Sequence, residues 1–231
     1  MSSIKKIKEL LKISIIKTIY FNFHYLPFKQ AIKLPIFLYN PKLKLMNGTV
    51  KIEAEKIKPG MIRMGKWIVS LYPNYKQGIM WEHRGVCIFN GKVQIGSGSA
   101  ISTGLKGKII FGNNFEATST FRIASYKQII MGENCSFSWE NIVVDTDFHE
   151  TIDVTTNKRS NPVKPIIIGD NNWFGIRTMI LKGTETPNFC IFGANSLLNK
   201  KYDVPEYSLL AGNPAKFIKE GLYRDLNSYV K

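Results

Sequence analysis

Three histidines stand in the chain, His24, His83 and His149, and only His149 lies in a stretch whose spacing suggests chemistry, VVDTDFHE at 143–150. Asp145, Asp147 and His149 alternate along it, so on extended backbone all three project to one face. A neutral imidazole near physiological pH accepts a proton, and a neighbouring carboxylate can orient it, so these residue types offer general acid–base chemistry. The competing reading makes both aspartates solvated turn residues. His24, in an apolar N-terminal segment, and His83, in Trp-Glu-His-Arg-Gly, suit packing or surface roles. No other catalytic apparatus is visible. There is no Gly-rich phosphate loop ending in Lys-Ser/Thr, no serine nucleophile elbow, and no His/Cys/carboxylate set at metal spacing.

Something must hold His149 in place, and the surrounding sequence indicates what. Short β-prone runs, VKIEA (50–54), WIVSLY (67–72), VCIF (86–89), KIIF (108–111) and QIIM (128–131), alternate with turns bearing Gly and Asn. Four apolar-Gly-polar-Asn/Gly tetrads recur: IGSG at 95–98, FGNN at 111–114, MGEN at 131–134 and IGDN at 168–171, at spacings of 16, 20 and 37 residues. The last interval is about two of the others, which predicts a coil of roughly 18 residues with an excursion near 150–165. Within the coil, apolar residues fall six apart at Ile168, Phe174, Ile180, Phe192 and Leu198, with Thr186 off type. Such a register points to a stacked β-helix rather than to a sandwich or barrel with Gly-Asn turns.

Charge divides the chain. The 231 residues carry a net +15, yet residues 1–66 hold 14 Lys/Arg against 3 Asp/Glu while the remainder is near balance. Over 4–21 apolar residues recur near helical spacing among lysines, predicting an amphipathic helix that caps the main domain or rests on an anionic membrane surface. No nucleic-acid-binding motif accompanies the basicity. No apolar run reaches the length of a membrane span, no secretory signal is apparent, and Cys87, Cys135 and Cys190 are an odd, widely spaced set, so a cytoplasmic protein is expected. The expected organisation is a basic helical segment at 1–45, a β-helix over 46–204, and a C-terminal turn and helix at 205–231.

The block IGDNNWFGIRTMILKGTETPNFCIFGANSLLNKKYDVPEYSLLAGNPAKFIK at 168–219 resembles the hexapeptide-repeat acyltransferases, and the basic N-terminal segment resembles leaders on sugar O-acetyltransferases of polysaccharide gene clusters. The resemblance covers about 93–219. It implies an all-β, left-handed parallel β-helix, a homotrimer with acyl-CoA between neighbouring prisms, and transfer of an acetyl group from acetyl-CoA to a saccharide or lipid-linked saccharide hydroxyl, with no metal. It further implies His149 as general base, assisted by Asp147 or Asp145; a backbone N–H near Gly175 and Ile176 facing the developing oxyanion; and Trp173 walling off acceptor and pantetheine. Ser119 and Thr120 match an acceptor contact, although the asparagine frequent in relatives is missing there. Gly193, Ala194 and Ser196 correspond to the pantetheine coil, and Lys200 and Lys216 to partners of the CoA phosphates. N-acetylation of an amino sugar nucleotide, or a non-catalytic scaffold, are the alternative functions.

Overall fold

A computed structural model describes residues 12–225 apart from 67, 70 and 72–75. Its core is a triangular prism of three parallel sheets through which the chain winds. Among the described residues, the first face has nine strands, eight parallel ones from Ile36–Leu38 to Leu209–Ala211 and one antiparallel, Lys216–Lys219. The second has seven, from Lys42–Met46 to Leu197–Leu198, and the third six, from Thr49–Ile52 to Glu185–Thr186. This is the stacked parallel β-helix expected of the repeat, with the left hand that the resemblance implies.

The six-residue step is a step from face to face. Ile168, Phe174, Ile180, Phe192 and Leu198 all point into the prism and are buried. The off-type Thr186 also points inward, where its Oγ1 accepts the Gly169 N–H and an Asn172 Nδ2–H, converting a core position into a polar clamp between coils. Equivalent positions on successive coils stack. Phe137, Phe174 and Phe192 lie nearly parallel with centroids 4.3 and 4.8 Å apart, as do Phe89 and Phe111 at 5.4 Å. Each such buried ring contributes about 1.5–3 kcal/mol by leaving water.

The tetrads FGNN, MGEN and IGDN share the edge where the third face meets the first. Their last residues, Asn114, Asn134 and Asn171, are left-handed, with φ of 58°, 54° and 58°. Asparagine tolerates this conformation and its amide bonds locally; here the amides form a ladder, Asn114 Nδ2 donating to Asn134 Oδ1 and Asn134 Nδ2 to Asn171 Oδ1, each 3.1 Å. IGSG does not belong to this column. Ile95 pairs with Ala117 on the first face, so that tetrad turns the edge between first and second faces. The same local turn chemistry serves more than one edge, and spacing alone does not distinguish them.

The ends differ from the expectation. Residues 1–11 lie outside the described part, and the helices are α1 (Ile15–Tyr25) and α2 (Phe28–Ala31). Prism strands begin at Ile36 rather than after 45. Between 205 and 225 the described chain forms two strands and turns instead of a helix; residues 226–231 are outside it. Half of WIVSLY is also outside, and Ile68, Val69 and Leu71 are not in a strand.

Candidate active site

The edge where the second face passes into the third carries a column of inward polar residues. His83, Thr103 and Ser125 pair in register, and Asp145 follows the strand Ile142–Val144 that stacks on the last of them. All four are buried. His83 Nε2–H donates to Thr49 O at 2.9 Å, which leaves Nδ1 to accept from Thr103 Oγ1–H at 2.7 Å. Asp145 accepts from Ser125 Oγ (2.8 Å), Tyr126 N (2.7 Å) and Lys127 N (2.9 Å). Its carboxylate is thus committed to closing the turn below, and the structure gives it that task in place of orienting the His149 imidazole. Alternation fails because the strand ends at Val144.

From this anchored root the chain leaves the prism as a hairpin. Thr146 bridges Val163 and Ile152 bridges Arg159, while Asp153 Oδ1 accepts the Thr155 and Thr156 N–H groups at the tip. Phe148 is left-handed at φ 63°, uncommon for a bulky residue; Thr146 Oγ1 accepts its N–H, and its ring meets Tyr126 edge-on at 5.4 Å. That turn presents His149 to solvent, exposed, with no hydrogen bond to another described residue. Asp147 is ion-paired with Lys182, whose Nζ also donates to Asn161 O at 2.8 Å, so one lysine joins both arms of the hairpin. Further along the same edge stand Lys200, over the Tyr202 ring at 5.7 Å, and Lys201, paired with Glu185 at 3.4 Å.

The other expected residues lie elsewhere. Gly175, Gly193, Ala194 and Ser196 turn the edge between first and second faces. Gly175 N–H donates to Phe192 O at 2.8 Å, so it is spent within the stack and does not face an oxyanion. A Cβ at Gly175 would sit 2.6 Å from Ala194 N, and one at Gly193 would sit 2.9 Å from Ala211 Cβ. These glycines are required by coil-to-coil approach. Ser196 is buried, its hydroxyl donating to Gly193 O at 2.7 Å and accepting from Gly212 N at 3.2 Å. Ser119 and Thr120, on the same edge, are buried too, and Thr120 Oγ1 donates to Ser119 O and accepts from Glu140 N. Thr120 also lines a surface cavity with Arg122, Glu140 and Arg177, and the buried Ser119 Oγ has no hydrogen-bond partner among the described residues. Ala194 and Lys216 are exposed. Trp173 starts a strand on the first face beside its edge with the third, half-buried under Arg224 at 5.6 Å. One chain therefore spreads the candidate residues over all three edges of the prism.

No family model matches the chain. Over 116 residues, half of this chain, it is 32% identical to a polysialic acid O-acetyltransferase of Escherichia coli O1:K1 / APEC, a match spanning 37% of that relative. Over 145 residues it is 25% identical to the putative lipopolysaccharide biosynthesis O-acetyl transferase WbbJ of Escherichia coli strain K12, covering 57% of this chain and 73% of the relative. Among solved structures, the polySia-specific acetyltransferase NeuO superposes with a TM-score of 0.56 at 20% identity, over 83% of this chain and 92% of that one. The chain has the hexapeptide-repeat acetyltransferase fold. Within that hexapeptide-repeat frame, Phe148 and Lys182, the latter left unassigned among the lysines of the sequence, stand beside His149 and Asp147. Lys182 had a signal: it follows Asp145 by 37 residues, the interval between the MGEN and IGDN tetrads, and so stands one coil above it. The three thiols are all free and buried, with burial pushing Cys135 up to about 12 and raising Cys87 and Cys190 as well, which removes them as nucleophiles. No group of three or more potential metal ligands exists among the described residues.

Proposed function

We propose that this chain is an acetyl-CoA-dependent O-acetyltransferase acting on a saccharide hydroxyl during surface-polysaccharide assembly, with His149 as general base. The observation that carries the reading is the placement of His149: a solvent-facing imidazole at a left-handed turn, on a hairpin rooted by buried Asp145 and braced by Asp147–Lys182. In the reaction the imidazole takes the proton of the attacking hydroxyl as its oxygen bonds to the thioester carbonyl carbon. The tetrahedral intermediate then breaks its C–S bond, and the imidazolium returns the proton to the departing thiolate. Asp147 acts as a positioning residue through Lys182, and Lys200 and Lys201 supply positive charge on the same edge for CoA phosphates.

Trp173, Ala194 and Lys216 stand on other edges, so they serve this site only from a second copy, which fits a homotrimer whose sites lie between prisms. Supporting that assembly, the third face turns Ile110, Ile130 and Ile167 outward and the second face Ile142, Met179 and Leu197. No helix among the described residues is long and apolar enough to cross a membrane; a place at the inner membrane face, where lipid-linked saccharides are held, fits the reading.

The test is thiol release from acetyl-CoA by wild type and His149→Ala with a panel of saccharides and nucleotide amino sugars. Acceptor-dependent release should fall by about 10²–10⁴-fold in the variant with the circular dichroism spectrum unchanged. Undiminished release would overturn the base assignment, and release with amino sugar nucleotides alone would replace O- by N-transfer.

A further inference from the structure

Helix α1 is amphipathic in an unexpected sense. Its polar residues face the protein: Leu38 N donates to Thr18 Oγ1 at 3.1 Å, Ile36 N to Asn22 Oδ1 at 3.1 Å, and Asn22 Nδ2 to Ile36 O at 2.8 Å. Thr18 and Asn22, both buried, thereby pair with the terminal strand of the first face and close the open end of the β-helix, a strand edge that would otherwise invite other chains. With the polar side used inward, apolar residues are left outside. Ile15, Ile16, Ile19, Tyr20 and Phe23 are exposed, Ile16 at 83%. At about 100° per residue they occupy one arc of about 140°, turned away from the arc holding Thr18, Phe21, Asn22 and Tyr25.

The patch continues across the turn. Phe23 meets Phe28 edge-on, centroids 6.0 Å apart, and Phe28 (69% exposed) stands one helical turn from Ile32 (59%). Lys12, Lys17, Lys29 and Lys33 are exposed around it. From Leu10 to Ile52 the sequence has seven lysines and no acidic residue. We propose that this end of the prism seats on an anionic lipid surface, with α1 flat in the interface, the seven apolar side chains in the acyl boundary and the lysines against phosphate headgroups. An apolar face in a cationic, acid-free surround is complementary to such a surface. A second copy docking end to end would instead bring lysines against lysines. The inference does not rest on the transferase reading.

The experiment is co-sedimentation of the full chain with phosphatidylcholine vesicles made with and without phosphatidylglycerol. Wild type should bind the phosphatidylglycerol vesicles and come off as salt rises. The Ile16→Glu/Phe23→Glu double variant should lose binding by about tenfold or more, and Lys29→Glu/Lys33→Glu should lose the preference for phosphatidylglycerol. These side chains project to solvent, so circular dichroism and thiol release with a soluble acceptor should match wild type; that activity separates failure here from failure of the catalytic reading. Wild type that ignores both vesicle types, binds them equally, or stays bound in the double variant would overturn the proposal. So would concentration-dependent self-association that the double variant abolishes in the absence of vesicle binding, which would assign the patch to a second copy.

Discussion

His83 and His149 occupy the same edge of the prism in opposite environments. His149 stands in water at the turn of the hairpin. His83 is buried between Thr49 and Thr103 with both ring nitrogens used, and only the neutral ring satisfies both, since Nδ1 must accept. Burial lowers its pKa from 6.5, outweighing the opposing effect of the bond to Thr49. The unfolded chain therefore binds a proton at a pH where the folded chain refuses it. Stability from this group is complete above pH 6.5 and is lost as pH falls from there toward the folded value. In a thermal melt series, wild type should lose Tm below pH 6.5 more steeply than His83→Gln, which has no proton to gain. Equal slopes would mean that the ring is solvated. Acceptor-dependent activity measured at a pH where both proteins are folded should be the same, since His83 lies inside the coil.

At the scale of the element, the coil explains what was legible in the sequence and what was not. The six-residue step names inward positions directly, because equivalent buried positions on successive faces recur six residues apart, and the strands at 86–89 and 108–111 match their β-prone runs residue for residue. Roles that depend on the coil above or below left no local trace. Asp145 reads as half of an alternating pair, yet its partners lie 18 to 20 residues back, brought beneath it by stacking. Likewise α1 reads as a basic amphipathic helix, but the open strand edge it closes claims its polar residues and reverses which side faces water. Gly175 tests the same distinction. As a stacking residue with backbone 2.6 Å from any Cβ, it should lose about 1–3 kcal/mol on Gly175→Ala, read as a lower urea midpoint, with thiol release per folded molecule unchanged. Loss of activity at wild-type stability would return Gly175 to the site.

For the whole molecule, the distribution of candidate residues over three edges, combined with outward apolar columns on two faces, makes the catalytic reading depend on assembly. On the third face the outward residues Ile110, Ile130 and Ile167 stand in direct register, and Ile167 is 40% exposed. On the second, Met179, also 40% exposed, lies between Ile142 and Leu197. Apolar columns of this kind on adjacent faces are what a cyclic trimer buries along its axis. Sedimentation equilibrium should give three times the chain mass for wild type, and Ile167→Glu/Met179→Glu should sediment as a monomer and release no thiol although His149 is intact. Complementation decides whether the site is shared. If His149 comes from one copy and Trp173 from its neighbour, His149→Ala and Trp173→Ala should each be inactive alone, while trimers assembled from an equal mixture should recover about a quarter of wild-type activity, because half the sites draw an intact histidine and half of those an intact tryptophan. No recovery in mixed trimers would place both residues' contributions within one chain, which their separation on the prism opposes.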